Sequence, residues 1–187
     1  MGKGAQELSL NIISLNRDKS LWTVLGDYEA ATAEASHNFN FSAVDFDNDS
    51  ELVLVIDLGV TLALILQLRI NADTSANYFT DGRIINGGVE TLVDLGGIAA
   101  YQILSTTSLG AVNASGFAEV HIGLPKAGTQ DRPLFYSFGG SGSGPVNESY
   151  AGSLNKTVSS ITDVEVRTST STWQIGTRMT LYKVARS

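Results

Sequence analysis

Cysteine is absent from the 187 residues. Disulfides, thiolate nucleophiles and cysteine-held metals are therefore excluded together. Proline occurs only three times, so chain reversals must be set by the 19 glycines and by Asn, Asp and Ser clusters. Histidine occurs twice, as His37 and His121. A cupin-like metal site needs three histidines and a glutamate, and a Ser-His-Asp set would have to use one of these two, without a Gly-x-Ser-x-Gly elbow to present the serine. Both histidines sit in strand-like patterns and read as structural.

Charge is sparse. Only 17% of residues are charged, and the net charge is −7. The 12 basic residues are scattered and form no patch able to hold a phosphate backbone, so nucleic acid is not an expected partner. The same sign disfavours anionic membrane surfaces. Met1 to Gln6 is polar with no apolar stretch behind it, so no secretory signal is expected and synthesis in the cytoplasm of a host follows. The Asn-x-Ser/Thr matches at Asn48, Asn113, Asn147 and Asn155 then carry no weight.

The only long apolar run, Leu52 to Ile70, is interrupted by Asp57, Gly59, Thr61, Gln67 and Arg69. A charge at the centre of a bilayer costs about 2.5–3.5 kcal/mol, so the run reads as two strands split at Leu58-Gly59-Val60. What the sequence does have is period-two alternation, the signature of strands with one buried face. Leu62, Leu64, Leu66, Leu68 and Ile70 share a face. Ala118, Val120, Ile122 and Leu124 lie opposite Glu119 and His121, and Val164 and Val166 lie opposite Asp163, Glu165 and Arg167. Met179 and Leu181 mark a last strand within Thr177 to Val184; Phe39 and Phe41 share a face with His37, and Leu21 to Leu25 adds another short strand.

Asp81-Gly82, Asn86-Gly87-Gly88, Gly96-Gly97 and the tract Gly139 to Gly144 read as turns or loops. Tyr28 to Ala35 suits at most one turn of helix. Eight or more short strands without crossover helices give an all-β sandwich of two antiparallel sheets. Residues 1–20 read either as a first strand, through Leu8, Leu10, Ile12 and Ile13, or as an arm that pairs with a neighbouring subunit; residues 21–187 form the domain.

Candidate chemistry is thin. Asp45, Asp47 and Asp49 imitate the first half of a calcium loop, but Ser50 stands where glycine is needed and Ile56 where the closing glutamate belongs, so a solvated acidic turn is the plainer reading. No catalytic residue and no cofactor is assigned. A pair of carboxylates could serve a glycosidase, yet among 19 acids some pair is always available. Aromatics near the expected loops, Tyr78, Phe79, Tyr101, Tyr136, Phe138 and Tyr150, are candidates for interface or ligand contact, since aromatic faces anchor protein interfaces and stack on sugars. Tyr78, Tyr101, Tyr136 and Tyr150 are the main ones.

Two stretches carry a family resemblance. Leu66-Gln67-Leu68-Arg69-Ile70-Asn71-Ala72-Asp73-Thr74-Ser75-Ala76-Asn77-Tyr78 resembles a segment of phage virion proteins. Ile161 to Val166, followed by Trp173-Gln174-Ile175-Gly176-Thr177-Arg178-Met179-Thr180-Leu181-Tyr182, resembles their closing strands, with Lys183 where those proteins usually have glycine. Ala33 to Phe41 and Leu52 to Ile56 also fit, so the likeness spans residues 20 to 185. It implies a tumour-necrosis-factor-like jelly roll, commonly trimeric, used in capsid decorations, head fibres or tail parts, and it brings no catalytic residues. The expectation is a virion structural protein, a capsid decoration (cement) or head-fibre subunit that forms a homo-oligomer on the particle surface and contacts the major capsid protein. The alternative is a tail-associated domain that binds host surface glycan.

Overall fold

The computed structural model describes residues 21–45, 50–60, 65–105, 114–123, 132–141, 146–169 and 171–185. These form twelve strands: β1 (Trp22–Glu29), β2 (Ser36–Asp45), β3 (Ser50–Val60), β4 (Ile65–Ile70), β5 (Tyr78–Asn86), β6 (Val89–Ile98), β7 (Tyr101–Ser105), β8 (Ala114–Gly123), β9 (Leu134–Ser141), β10 (Val146–Leu154), β11 (Ser160–Thr168) and β12 (Arg178–Ala185). An eight-stranded sheet runs β1-β12-β3-β8-β9-β10-β5-β6 and a four-stranded sheet runs β2-β11-β4-β7. All strand pairs are antiparallel. The protein is an all-β sandwich of two antiparallel sheets.

Alternation places the core. Leu52, Leu54, Ile56 and Leu58 of β3, Ala118, Val120 and Ile122 of β8, and Met179 and Leu181 of β12 are buried from the larger sheet. They belong to the same core as Leu66, Leu68 and Ile70 of β4 and Val164 and Val166 of β11 from the smaller one. Side chains of opposite parity point away from that core because successive residues of a strand face opposite sides. All five residues of β7 are buried.

Two hairpins extend the larger sheet beyond β8. The β5–β6 hairpin closes through Gly87 and Gly88, both at positive φ (56° and 85°), with Asn86 opposite Val89. Two positive-φ central residues are what a two-residue turn matched to strand twist requires. The β9–β10 hairpin inserts between β8 and β5.

Several glycine-based expectations are corrected. Gly59 does not end a strand: β3 continues to Val60, and Gly59 donates its N–H to Thr177 Oγ1 (3.1 Å) and accepts from Gln174 N (2.8 Å). It marks the close approach of the segment before β12. Asp81-Gly82 and Gly96-Gly97 lie within β5 and β6, and Gly139 and Gly140 within β9; they too are strand residues. A Cβ on Gly82 would enter the Tyr150 ring. Tyr28 to Ala35 makes no helical turn. It completes β1 and then bridges, with Glu34 opposite Trp173. Residues 1–20, Asp47, Asp49, Leu124 and the rest of the Gly tract fall outside the described residues. Asp45 closes β2 opposite Ser160.

Candidate functional site

Three of the four principal tyrosines are not surface groups. Tyr78, Tyr101 and Tyr150 are buried in the core, each with its hydroxyl satisfied. Tyr78 Oη accepts from Ile70 N (3.1 Å), and burial pushes its pKa up to about 12. Tyr101 stacks on Phe135 (centroids 4.8 Å apart), donates to the Tyr150 carbonyl (2.9 Å) and lies 3.0 Å from Ser137 Oγ. Tyr150 donates to Glu148 Oε2 (2.9 Å), which also accepts from Ser105 N (2.6 Å). Gln102 N donates to Thr80 Oγ1 (3.3 Å) and Ser137 Oγ to the Ile103 carbonyl (3.1 Å). This buried polar band ties β9, β10 and β5 to β7. Burial raises the Glu148 pKa against the lowering pull of its two donors. A buried polar group is tolerated only when it is bonded, so the band is a structural device.

The sequence placed these tyrosines at loops because glycines flank them. Those glycines instead make room for the rings: Gly82 lies against Tyr150, and Gly152 against the Tyr101 ring at 2.9 Å from where a Cβ would stand.

Tyr136 is the principal aromatic that faces solvent. It belongs to a row on the outer face of the larger sheet. Phe117 on β8 and Leu134, Tyr136 and Phe138 on β9 are each 37–51% exposed, as is Phe79 on β5. The row is continuous: Phe117 and Phe138 have centroids 6.4 Å apart, Phe138 and Tyr136 6.2 Å, and Tyr136 and His121 6.4 Å. Ser153 of β10 stands opposite both Leu134 and Phe79, which links the row to β5.

His121 anchors the β8 end of this face. Its Nε2 lies 2.6 Å from Glu119 Oε1 and its Nδ1 3.6 Å from Glu51 Oε1. Hydrogen bonds to Glu119 and Glu51 push its pKa up to about 9, with burial opposing. With its pKa raised, the imidazolium is the charged partner of two carboxylates beside the aromatic row. The outer face of the smaller sheet is different in kind. It carries Ser36, Asn38 and Asn40 of β2, Asp163, Glu165 and Arg167 of β11, and Gln67 and Arg69 of β4. Arg69 pairs with Glu165 (3.4 Å) and donates through Nε to the Ala99 carbonyl (2.8 Å).

The Asn71 to Asn77 turn is built as its residue types demand. Asn71 and Ala72 take positive φ. Asn71 Oδ1 accepts from Thr162 N (2.9 Å), and its Nδ2 donates to the Ser160 carbonyl (2.8 Å). Asp73 Oδ1 accepts from Ser75 N (2.8 Å), and Lys156 Nζ donates to Asp73 Oδ2 (3.0 Å). Burial pushes the Asp73 pKa up, but these donors outweigh it and hold the carboxyl below its usual range. A shallow pocket bounded by Ile70, Asp73, Leu154, Lys156 and Val158 lies beside this turn. Its one cation is already paired, so it offers little to a ligand. Among the described residues, no group of three or more His, Asp or Glu converges in metal-binding geometry, and no helix is long and apolar enough to cross a membrane.

Phe117 and the Glu119–His121–Glu51 group were not singled out from sequence as parts of a surface. Their signal was present in the odd parity of Phe117, Glu119 and His121 against the buried Ala118, Val120 and Ile122. Comparison with protein-family models, curated proteins and solved structures gives no match for this chain.

Proposed function

We propose that this chain is a structural subunit of a virus particle, a capsid decoration or head-fibre protein that works as a homo-oligomer. The observation that carries the reading is the one-sidedness of the sandwich: a continuous aromatic row crosses the outer face of the larger sheet at β8 and β9, while the smaller sheet presents a polar face. Exposed aromatic patches of this kind serve association.

The strand pairing supports a jelly roll. Set aside the β5–β6 and β9–β10 hairpins, and eight strands remain in the order β1, β2, β3, β4, β7, β8, β11, β12. Their pairs β1·β12, β2·β11, β3·β8 and β4·β7 join first to last, second to seventh, third to sixth and fourth to fifth. That is one long ribbon folded at its middle and rolled into two sheets, which is the jelly-roll plan. It agrees with the resemblance to tumour-necrosis-factor-like phage virion proteins, and that resemblance points to a trimer and to the major capsid protein as partner.

A second reading, glycan recognition by a tail-borne domain, draws on Tyr136 and Phe138, because aromatic rings beside hydrogen-bonding groups such as His121 and Glu119 suit sugar stacking.

Light scattering on the full chain tests the first reading. The expected mass is about 60 kDa, three times the 19.8 kDa chain. Phe138→Ser with Tyr136→Ser is expected to reduce it to monomer while leaving the fold intact. A wild-type monomer whose adsorption to host cells is lost in the same double variant would favour the glycan reading instead.

A further inference from the structure

The eight-stranded sheet has two ends, and they differ. At one end β1 is broken by a bulge between Val24 and Gly26, a feature that twists an edge away from further pairing. At the other end β6 pairs only with β5 among the described strands. Its register is regular over the seven residues from Val89 opposite Asn86 to Leu95 opposite Thr80. The strand reads Val-Glu-Thr-Leu-Val-Asp-Leu-Gly-Gly-Ile, without lysine or proline, and Val89 is 68% and Leu92 79% exposed. A regular free edge with exposed Val89 and Leu92 is a template for another strand unless the protein covers it, even with Glu90 and Asp94 along it.

The chain carries a segment suited to cover it. Residues 1–21 stand ahead of β1 in the sequence, and within them Leu8, Leu10 and Ile12 alternate with Glu7, Ser9 and Asn11. The basic residues of segment 1–20, Lys3, Arg17 and Lys19, flank these alternating positions rather than lie among them. Reach decides whose edge it serves. From β1 to a strand added outside β6 is eight strand spacings, about 38 Å along the sheet. The nine residues from Ile13 to Trp22 span at most about 32 Å fully extended. The segment therefore falls short of its own β6, whereas the β6 of a copy set beside its β1 is near.

We propose that residues 7–13 of one subunit add as a strand to the free edge of β6 of the neighbouring subunit. This is β-augmentation through backbone hydrogen bonds, a second contact that reinforces the one made by the aromatic row. The donor leaves from the β1 end and the acceptor lies at the β6 end of the same sheet, so the exchange runs head to tail, the arrangement that forms a ring when the rotation between copies closes. The proposal rests on the homo-oligomer reading and names the edges that would join the copies.

Because the chain has no cysteine, single thiols test it cleanly. Asn11→Cys and Leu92→Cys subunits, co-expressed and oxidised, are expected to give a disulfide-linked dimer on a denaturing gel that neither variant gives alone. Leu10→Asp with Ile12→Asp is expected to speed amide exchange across residues 90–95 by about tenfold or more. A wild-type chain that is monomeric by light scattering would overturn the oligomer reading and this one with it. An oligomer whose mixed thiols do not link, and whose β6 amides exchange alike in wild type and the Asp variant, would sink the strand exchange alone. So would a crosslink confined to single chains carrying both cysteines.

Discussion

Glu148 and Tyr150 stand two residues apart on the inward face of β10, and the Tyr150 hydroxyl donates to Glu148 Oε2 at 2.9 Å in the buried interior of the sandwich. Burial dominates the carboxyl and raises its pKa above the ordinary 4.5, while Ser105 N and the Tyr150 hydroxyl pull it down. A raised folded-state pKa means that the native protein binds this proton more tightly than the unfolded chain. Its contribution to stability is then complete below the ordinary carboxylate pKa and is lost as pH rises through the folded value. Glu148→Gln keeps an acceptor for both donors without a charge. Denaturant unfolding should find the variant at least as stable as wild type at pH 8, by up to about 1–2 kcal/mol, with the gap narrowing toward pH 4.5. A variant less stable at pH 8 than at pH 5, relative to wild type, would show that the carboxylate form is the one the fold prefers.

His121 and His37 offer an internal comparison, since they are the only histidines. Hydrogen bonds to Glu119 and Glu51 push His121 up to about 9. Burial pushes His37, stacked on Tyr28 at 3.8 Å, below 6.5, with Glu34 opposing. An NMR titration should show two imidazoles moving on opposite sides of 6.5. The His121 stabilisation is fully present below about 6.5 and lost as pH rises through about 9. After allowing for solvent screening at a sheet surface it amounts to about 1–2 kcal/mol. Glu119→Gln should bring the His121 midpoint down and flatten stability between pH 6.5 and 9.5.

Parity was the part of this fold that could be read from sequence. Leu66, Leu68 and Ile70, Val164 and Val166, and Met179 and Leu181 lie on the core side as their spacing requires, and Asn71 and Asp73 make the turn their side chains favour. Asn86-Gly87-Gly88 was legible as a turn and closes the β5–β6 hairpin, but the strands around the other glycines were not, because glycine has two uses that look alike in sequence. Gly87 and Gly88 turn the chain, whereas Gly82, Gly139 and Gly152 let a ring or a neighbouring strand come close inside a sheet. That second use depends on Tyr150, Leu104 and Tyr101, which are distant in sequence from at least one of the glycines they meet. The same ambiguity hid the three buried tyrosines: Tyr101 meets Ser137 only through the fold, and nothing local in the sequence turns Tyr78 and Tyr150 inward. Tyr136 was recoverable once Leu134, Tyr136 and Phe138 were taken as one face.

Asn71 joins two strands of the smaller sheet through its side chain, accepting from Thr162 N and donating to the Ser160 carbonyl, at a φ of 51°. Asn71→Ala loses both bonds and places a less tolerant residue at positive φ, so a loss of about 1–2 kcal/mol is expected in urea unfolding. Asn71→Gly restores the backbone freedom without the bonds. It should recover part of that loss if φ matters, and none if the bonds carry the whole effect.

Gly152 and Gly88 separate the two uses of glycine by experiment. Gly152 stands opposite Thr80 on β5 and Phe135 on β9, and a Cβ there would overlap the Phe79 carbonyl and press on the Tyr101 ring. The carbonyl belongs to a paired strand and the ring is held by its bond to the Tyr150 carbonyl, so neither can yield cheaply. Gly152→Ala should therefore cost about 3 kcal/mol or more, at the upper end of single substitutions, and should lower the thermal midpoint by about 6–12 °C or prevent folding. Gly88 sits at the hairpin tip with open space around it and a φ of 85°, so Gly88→Ala meets only the backbone preference, about 1–2 kcal/mol. Comparable losses at the two positions would mean that the Tyr101 ring can move aside, and the buried polar band would then be looser than its hydrogen bonds imply.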